Sequence, residues 1–267
     1  MFIKTEENQN ACSKMTAVVI SDCEPLDLAF IAQLRRAIPN ITIIRTFYPA
    51  PDEGTKTPRE SFFARLARWR SRRLSSPESR GVLKKIPPIS LAADVLNSEQ
   101  GEALIKNLSP DILIACRTTV LKESVFGSVP LALNIHFGLA PRYRGNNTLF
   151  WALYRGDTEG VAVTVHQLSR GIDQGNIYGI AHPRIRPWDS EVALANQLSS
   201  SAVRIVAKLA KELRERKCLP SGRPQKEKGR LYRGKERTVA RELEYLLYRR
   251  WLFWSRRYQK ESIVLYF

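Results

Sequence analysis

The sequence predicts an α/β protein with a Rossmann-like, mostly parallel sheet flanked by helices. Residues 17–21 form a short apolar run rich in β-branched residues, which is typical of a buried strand. Residues 25–37 carry apolar side chains at helical spacing, and Pro39 and Asn40 end that pattern. Residues 41–47 form a second β-branched run. The chain therefore opens strand–helix–strand, which is the repeating unit of a parallel sheet.

The alternation of strands and helices continues to about residue 216. Short buried runs and segments of helical spacing follow one another, with Pro or Gly between them. Because no G-x-G-x-x-G follows the first strand, the pattern does not indicate a nicotinamide dinucleotide site. The further strands are predicted at 112–116, 131–136 and 161–168, and the further helices at 98–108, 148–155 and 190–216.

Segments outside this pattern complete the predicted organisation. Residues 1–15 are polar and predict a flexible leader. Residues 49–88 are irregular and basic, and within them 62–74 predicts a solvent-exposed, arginine-rich helix, with a binding arm as the alternative. We therefore divide the chain into the leader, a catalytic domain over 16–216, and a linker with a basic, aromatic C-terminal extension over 217–267.

Composition limits the classes of partner and compartment. Lys and Arg outnumber Asp and Glu by 43 to 26, and the net charge of +17 favours an anionic partner: a phosphorylated substrate, nucleic acid or a membrane surface. A charge bias without any partner is the alternative. The four cysteines are scattered and include no C-x-x-C pair, which argues against a zinc site or a disulfide framework. Since the sequence has neither a membrane-length apolar run nor a signal-peptide pattern, we expect a cytoplasmic protein without a transmembrane segment.

The densest chemical signal lies at the end of the predicted strand 131–136. Asn134 and His136 are two residues apart, so their side chains leave the same face of the strand. A loop punctuated by Gly and Pro follows. A histidine here could be an ordinary buried or surface residue. However, open α/β sheets bind ligands at the carboxyl ends of their strands, so this polar junction favours a functional role.

The second signal is an aspartate between two glycines, some forty residues downstream. The predicted strand 161–168 leads into a loop in which the glycines bracket Asp173. An Asp-x-Gly sequence is by itself an ordinary turn, so the weight of Asp173 comes from its combination with the first motif. We expect His166, on the strand, to be structural and His182 to be a surface residue.

Together these motifs resemble the formyltransferase family that uses N10-formyltetrahydrofolate. The resemblance lies in the Asn-x-His strand end of Asn134 and His136, a Pro-x-Tyr-Arg-Gly loop at 141–145 and a later Asp-x-Gly at 173–175. It extends over about residues 111–177. It includes the helix sequence Phe150-Trp151-Ala152-Leu153 with Gly156-Asp157.

The resemblance implies a reaction centre of Asn134, His136 and Asp173. An amine attacks the formyl carbon and gives a tetrahedral oxyanion, to which the Asn134 amide would donate an N–H. Neutral His136 would accept the proton of the amine or share the oxyanion. Asp173 would raise the basicity of His136, stabilise its cation or hold a relay water. The resemblance implies no metal site.

The resemblance also implies where the folate donor lies. Its pterin ring is expected against the loop after 112–116 and against the loop that approaches Asp173. The Tyr-Arg-Gly sequence is expected to form a substrate loop. The predicted folate contacts are Arg117, Thr118, Thr119, Val120, Leu121, Arg170, Gly171 and Asp173, and the predicted substrate loop is Arg142, Tyr143, Arg144 and Gly145.

The acceptor is expected to be the amine of a nucleotide- or lipid-linked amino sugar. The residues from 217 to 267 are too few for the C-terminal barrel of a methionyl-tRNA formyltransferase. The Tyr-Arg-Gly loop distinguishes the chain from glycinamide ribonucleotide formyltransferases. The alternatives are a methionyl-tRNA formyltransferase-like enzyme and a formyltetrahydrofolate hydrolase with water as acceptor. A non-enzymatic binding protein is the remaining class.

The C-terminal extension carries a basic, aromatic helix candidate over 238–258. Apolar residues at 247, 251 and 254 follow helical spacing, and arginines lie among them. Packing of this helix on the catalytic domain is one interpretation. The other is an interfacial helix that makes peripheral contact with an anionic membrane. The charge also permits nucleic acid as a partner without favouring it.

Overall fold

The computed structural model describes residues 15–48, 77–186, 188–216, 221–254 and 260–267. The predicted leader before residue 15 and the predicted helix at 62–74 lie outside the described residues. The first residues of the predicted linker, 217–220, lie outside them as well, and so do the side chains of 248–259.

The described residues form ten strands and eight α-helices, with a short 3-10 turn at Gly234–Glu236. The strands are Thr16–Ser21 (β1), Asn40–Phe47 (β2), Ile89–Ala92 (β3), Ile112–Cys116 (β4), Leu131–His136 (β5), Tyr143–Gly145 (β6), Val163–Gln167 (β7), Ile177–His182 (β8), Arg230–Tyr232 (β9) and Ser262–Leu265 (β10). The helices are Pro25–Ala37 (α1), Pro77–Lys85 (α2), Ala93–Leu96 (α3), Glu99–Leu108 (α4), Glu123–Phe126 (α5), Thr148–Tyr154 (α6), Glu191–Arg216 (α7) and Val239–Trp254 (α8).

Eight strands form one central sheet in the order β10-β8-β7-β5-β4-β1-β2-β3. The five neighbouring strands β3, β2, β1, β4 and β5 are parallel to one another. Beyond β5 the pairing is antiparallel: β7 pairs with β5, β8 with β7, and β10 with β8. The mostly parallel sheet with flanking helices confirms the predicted fold class. The helix α2 lies within the segment that we expected to be irregular.

The sheet is buried on both faces, as a parallel sheet requires. Along β1 the residues alternate, so that Val19 packs in one hydrophobic cluster while Val18 and Ile20 pack in another. The larger cluster includes α1, α6 and α7, and the smaller one includes residues of α3, α4 and α5. These two clusters hold the carboxyl ends of β4 and β5 in place.

The C-terminal extension packs against the central sheet and its helices. β10 is one of the two edge strands of the central sheet, and β9 pairs with β6 in a separate two-stranded sheet. Helix α8 packs on α6, where the ring of Tyr245 meets that of Phe150 edge to face at 5.4 Å. Arg237, just before α8, forms ion pairs with Glu191 and Glu242 and is mostly buried. These contacts support the interpretation that the extension packs on the catalytic domain.

A helix that crosses a bilayer must be both long and apolar. Among the helices that the structure describes, none is both long and apolar enough to cross a bilayer.

Candidate active site

Two of the predicted site residues lie in the last three positions of β5. Asn134 and His136 alternate along the strand and leave its same face. His136 is only 5% exposed, and Asn134 is partly buried. Because β7 runs antiparallel to β5, His166 lies directly opposite Asn134. This second imidazole, which we expected to be structural, therefore joins the site.

Asp173 reaches the same face from the loop 168–176, which connects β7 and β8. Its φ of 52° lies in the left-handed region that non-glycine residues seldom adopt. One carboxylate oxygen, Oδ1, lies 3.1 Å from Nδ2 of Asn134 and 3.4 Å from Nδ1 of His136. The other, Oδ2, accepts a hydrogen bond from the Gly145 N–H at 2.7 Å. The fold thus brings the three predicted residues into direct contact near the carboxyl end of β5.

The ring of His136 is oriented from both sides. Its Nε2 lies 2.8 Å from the backbone oxygen of Tyr143, and because a carbonyl only accepts, Nε2 carries the hydrogen. In the neutral ring Nδ1 is then unprotonated, and it faces Asp173. A proton taken up at Nδ1 would be stabilised by that carboxylate.

Burial and charge act in opposite directions on this pair. Burial lowers the pKa of His136 and outweighs the Asp173 carboxylate, which raises it. Burial by itself would raise the pKa of Asp173. The charge that His136 and His166 carry when protonated, together with the Gly145 N–H, outweighs burial and holds the pKa of Asp173 below its usual range. Near neutral pH the site therefore holds a neutral His136 beside an ionised Asp173.

Both hydrogens of the Asn134 amide have acceptors inside the protein. One acceptor is Asp173, and the other is Nε2 of His166, 3.1 Å from the amide nitrogen. The Nδ1 of His166 donates to the backbone oxygen of Gln167 at 2.8 Å, which leaves Nε2 free to accept in the neutral ring. Asn134 must release one of these bonds before it can donate to an oxyanion.

The backbone after His136 leaves no room for a side chain at residue 138. A Cβ on Gly138 would lie 2.9 Å from Nε2 of His136 and 2.7 Å from Oγ1 of Thr148. Two threonines that the sequence did not single out fix this turn. Thr148 donates to the backbone oxygen of Phe137 at 2.6 Å, and Thr164 donates to that of Gly138 at 2.7 Å.

The predicted substrate loop begins with an exposed arginine. Arg142 projects its guanidinium toward solvent and pairs with Asp157 at 2.8 Å. The ring of Tyr143 is buried, and its hydroxyl donates to the same carboxylate at 2.7 Å. Of these two side chains, Arg142 is the one that a substrate in solvent can reach.

The second half of that loop faces the protein. Arg144 is 6% exposed and donates two hydrogen bonds, of 2.9 and 2.6 Å, to the backbone oxygen of Ile172. Gly145 donates its N–H to Asp173, which follows Ile172 in the loop 168–176. Both residues therefore hold Asp173 in position within this structure.

The two stretches predicted to contact folate lie beside each other. Arg170 forms an ion pair with Glu123, which begins α5 shortly after the stretch 117–121. Val120 is exposed and Leu121 is buried. Thr119 and Gly171 are partly buried.

The start of the stretch 117–121 is tied to the end of β2 and to the first turn of α1. The hydroxyl of Thr118 lies 2.8 Å from that of Thr46. The guanidinium of Arg117, whose backbone φ is 50°, lies 3.6 Å from the carboxylate of Asp27. Burial raises the pKa of Asp27 to about 6, against the lowering effect of Arg117.

The cysteines that the structure describes show no arrangement for cross-linking. Cys23 and Cys116 are free thiols, and burial raises the pKa of Cys23 to about 11. In the described ranges no group of three or more His, Cys, Asp or Glu side chains is placed to hold a metal ion.

Comparison with known proteins assigns the family. A sequence model of the formyl transferase family matches residues 67–209, which is more than half of the chain, and the chain belongs to this family. Methionyl-tRNA formyltransferase of Dehalococcoides mccartyi (strain CBDB1) is 32% identical to it over 106 residues. Those residues are 39% of this chain and 34% of that protein, so the chain matches about a third of the relative's length.

Solved structures share the fold. A sugar N-formyltransferase from Shewanella sp FDAARGOS_354 matches with a TM-score of 0.56 and 16% identity, over 87% of each chain. WlaRD, a sugar 3N-formyl transferase whose structure was determined in the presence of dTDP and 5-N-formyl-THF, matches with a TM-score of 0.54 and 15% identity. That match covers 88% of this chain and 79% of WlaRD. At these identities the likeness concerns the fold.

Proposed function

We propose that this chain transfers a formyl group from N10-formyltetrahydrofolate to a primary amine. The observation that carries the proposal is the direct contact of Asn134, His136 and Asp173 within a formyl transferase fold. Family membership supports the class of reaction. The contact of an amide, an imidazole and a carboxylate gives that reaction a centre.

The arrangement supplies the groups that formylation of an amine needs. A C–N bond forms as the amine attacks the formyl carbon, and the carbonyl oxygen becomes an oxyanion. Asn134 donates an N–H to this oxygen after it releases one of its internal acceptors. His136 takes the proton of the amine at Nδ1, directly or through one water, and Asp173 stabilises the cation. When the tetrahedral carbon collapses, its bond to N10 of the folate breaks and N10 receives that proton.

The donor is proposed to lie between the stretch 117–121 and the loop 170–173. The ion pair of Arg170 with Glu123 keeps the two stretches together. Val120 and Ile172, one on each stretch, are exposed apolar side chains that suit the faces of a pterin ring. Binding of 5-formyltetrahydrofolate, measured by calorimetry, should be lost in Val120→Arg and kept in a matched Leu247→Arg variant.

The acceptor is proposed to be a nucleotide- or lipid-linked amino sugar. The named activities of the Shewanella protein and of WlaRD, and the dTDP present with WlaRD, support this choice. The net charge of +17 suits a phosphorylated acceptor. The test is turnover of N10-formyltetrahydrofolate against a panel of amino-sugar nucleotides, with the N-formyl product identified by mass spectrometry. Turnover that no amino sugar stimulates would contradict this acceptor.

Two alternatives within the family are distinguished by the same turnover assay when it is run with other acceptors. A formyltetrahydrofolate hydrolase would release formate in the absence of any amine. A methionyl-tRNA formyltransferase-like enzyme, which the named curated relatives favour, would formylate charged tRNA. Its affinity for tRNA would fall steeply as salt is raised, because phosphate contacts release counterions.

A peripheral contact with an anionic membrane is proposed for α8. One face of this helix exposes apolar side chains at helical spacing. Leu247 is 78% exposed, and three further residues are 43 to 47% exposed. The excess of basic residues complements an anionic surface, and such a contact would bring the enzyme near a lipid-linked sugar. The exposed face consists of Val239, Leu243, Leu246 and Leu247.

A further inference from the structure

Residues 221–232 of the C-terminal extension connect the two loops that orient the proposed catalytic pair. We call these residues the bridging segment. Its first half contacts the residues that follow Asp173, and its second half contacts the loop that contains β6.

The second half of the bridging segment contains β9, which pairs with β6. Tyr232 pairs with Gly145, and a Cβ on Gly145, whose φ is 88°, would lie 2.3 Å from the backbone oxygen of Tyr232. The same short strand supplies the Tyr143 oxygen to His136 and the Gly145 N–H to Asp173. β6 is therefore held between the bridging segment and the catalytic pair.

Gly229 makes the closest approach in this contact. A Cβ at this position would lie 1.8 Å from the backbone oxygen of Pro141 and 2.7 Å from Cα of Arg142. Both atoms belong to the backbone, so a side chain could be accommodated only if the loop that contains β6 or the bridging segment moved. Pro141 precedes Tyr143 by two residues, and movement of this loop would displace the oxygen that orients His136.

The first half of the bridging segment holds the other loop. The side chain of Gln225 donates a hydrogen bond of 2.7 Å to the backbone oxygen of Gly175, two residues after Asp173. Arg223 and Ile177 exchange two backbone hydrogen bonds of 2.8 Å. One short segment thus fixes both loops relative to each other.

We propose that Gly229 and Gln225 are positioning residues, which act through β6 and the Asp173 loop to set the geometry between His136 and Asp173. The inference rests on the proposed function, since it concerns the same reaction centre. A catalytic contact must be held within about half an ångström to stay productive, and both loops here depend on the bridging segment.

The kinetic test compares Gly229→Ala with Gly234→Ala. A Cβ at Gly234 would meet only the side-chain nitrogen of Asn146, at 3.5 Å, so this variant is a matched control in the same extension. We expect kcat to fall at least about tenfold in Gly229→Ala, with the KM for the folate donor changed little, and to stay near wild type in Gly234→Ala. Gln225→Ala, which removes one hydrogen bond and leaves the packing at 229 intact, should lower kcat in the same way. It provides the result if Gly229→Ala does not fold.

A second readout does not depend on activity. The chain has three histidines, so ring signals of ¹³C-labelled histidine can be assigned by single replacements and titrated by NMR. The pKa of His136 should fall further below its ordinary value in Gly229→Ala and in Gln225→Ala, because the Tyr143 oxygen and the Asp173 carboxylate, which raise it, are displaced. It should not move in Gly234→Ala. Unchanged kcat and unchanged titration in both test variants would overturn the inference. A wild-type protein without folate turnover would contradict the proposed function instead, while the titration would still decide whether the segment positions His136.

Discussion

Nδ1 of His136 and Oδ1 of Asp173 lie 3.4 Å apart, while the other nitrogen of the ring is committed to the backbone oxygen of Tyr143. The ring can therefore gain a proton only at the position next to the carboxylate. Burial keeps the ring neutral at rest, and the ionised Asp173 favours the cation that forms during proton transfer. This relationship makes the protonation of His136 the step most open to measurement.

The pH dependence of turnover should follow His136. Its pKa lies below the ordinary value of about 6.5 because burial disfavours the cation, so kcat/KM should rise with pH through that lowered pKa and be level near neutrality. His136→Gln should remove this acid limb and lower the rate at least about 10²-fold. Initial rates between pH 5 and 9 test both statements. An acid limb centred well above pH 7, or near-normal turnover in the variant, would contradict the assignment.

Asp173→Asn should separate the charge of this residue from its shape. The asparagine oxygen can still accept from the Gly145 N–H, so we expect the fold to survive. Without the carboxylate, the largest influence that opposes the lowering of the His136 pKa by burial is lost. The acid limb should then move to lower pH while kcat falls at least about 10²-fold. Asp94→Asn, at an exposed position, is the control and should leave both quantities unchanged.

Local patterns predicted the parallel part of the fold, and they placed two of the three predicted site residues on one strand. The alternation of side chains along a strand is a property of the strand itself, so Asn134 and His136 could be placed on one face of β5 from the sequence. The sequence predicts a structural role for His166, whereas its position opposite Asn134 depends on the antiparallel pairing of β5 with β7. Hydrophobic periodicity carries no information about such a register.

The bridging segment shows a second limit of the same kind. Its strand β9 has three residues, and its composition of Gly, Pro and charged residues predicts a linker. Its structure comes from long-range contacts between loops, among them the close approach of Gly229 to Pro141. Arg144, which the sequence predicts as part of the substrate loop, is buried and donates to the backbone oxygen of Ile172.

Asn134 and His166 should be energetically coupled in catalysis. They share a hydrogen bond of 3.1 Å, and the bond determines which amide hydrogen is available to an oxyanion. We expect Asn134→Ala to lower kcat/KM about 10²- to 10³-fold, and His166→Ala to add little once the amide is absent. A double-mutant cycle on kcat/KM measures this. If the two losses simply multiply, the shared bond has no part in the reaction.

The stability of the protein should carry a signature of the buried carboxyl of Asp27. Its folded-state pKa of about 6 lies above the ordinary value of 3.8. The stability that this group contributes is therefore present at low pH and is lost as the pH rises through 6. Asp27→Asn does not titrate, so the unfolding free energy of the wild type should decline relative to the variant by up to about 3 kcal/mol between pH 4 and pH 7. Urea unfolding at several pH values tests this, and a difference that does not vary with pH would contradict it.

Membrane association through the exposed face of α8 should depend on both its apolar side chains and the charge of the chain. The wild type should co-sediment with anionic vesicles at low salt and be released at high salt, because screening weakens the attraction of basic residues to the surface. Replacing Leu243 and Leu247 together by Ser removes two exposed apolar side chains, and binding should weaken at least about tenfold. Val264→Ser, at a similarly exposed position on β10, should bind as the wild type does. Equal binding by the double variant, or no binding at low salt, would leave α8 as a packing element alone.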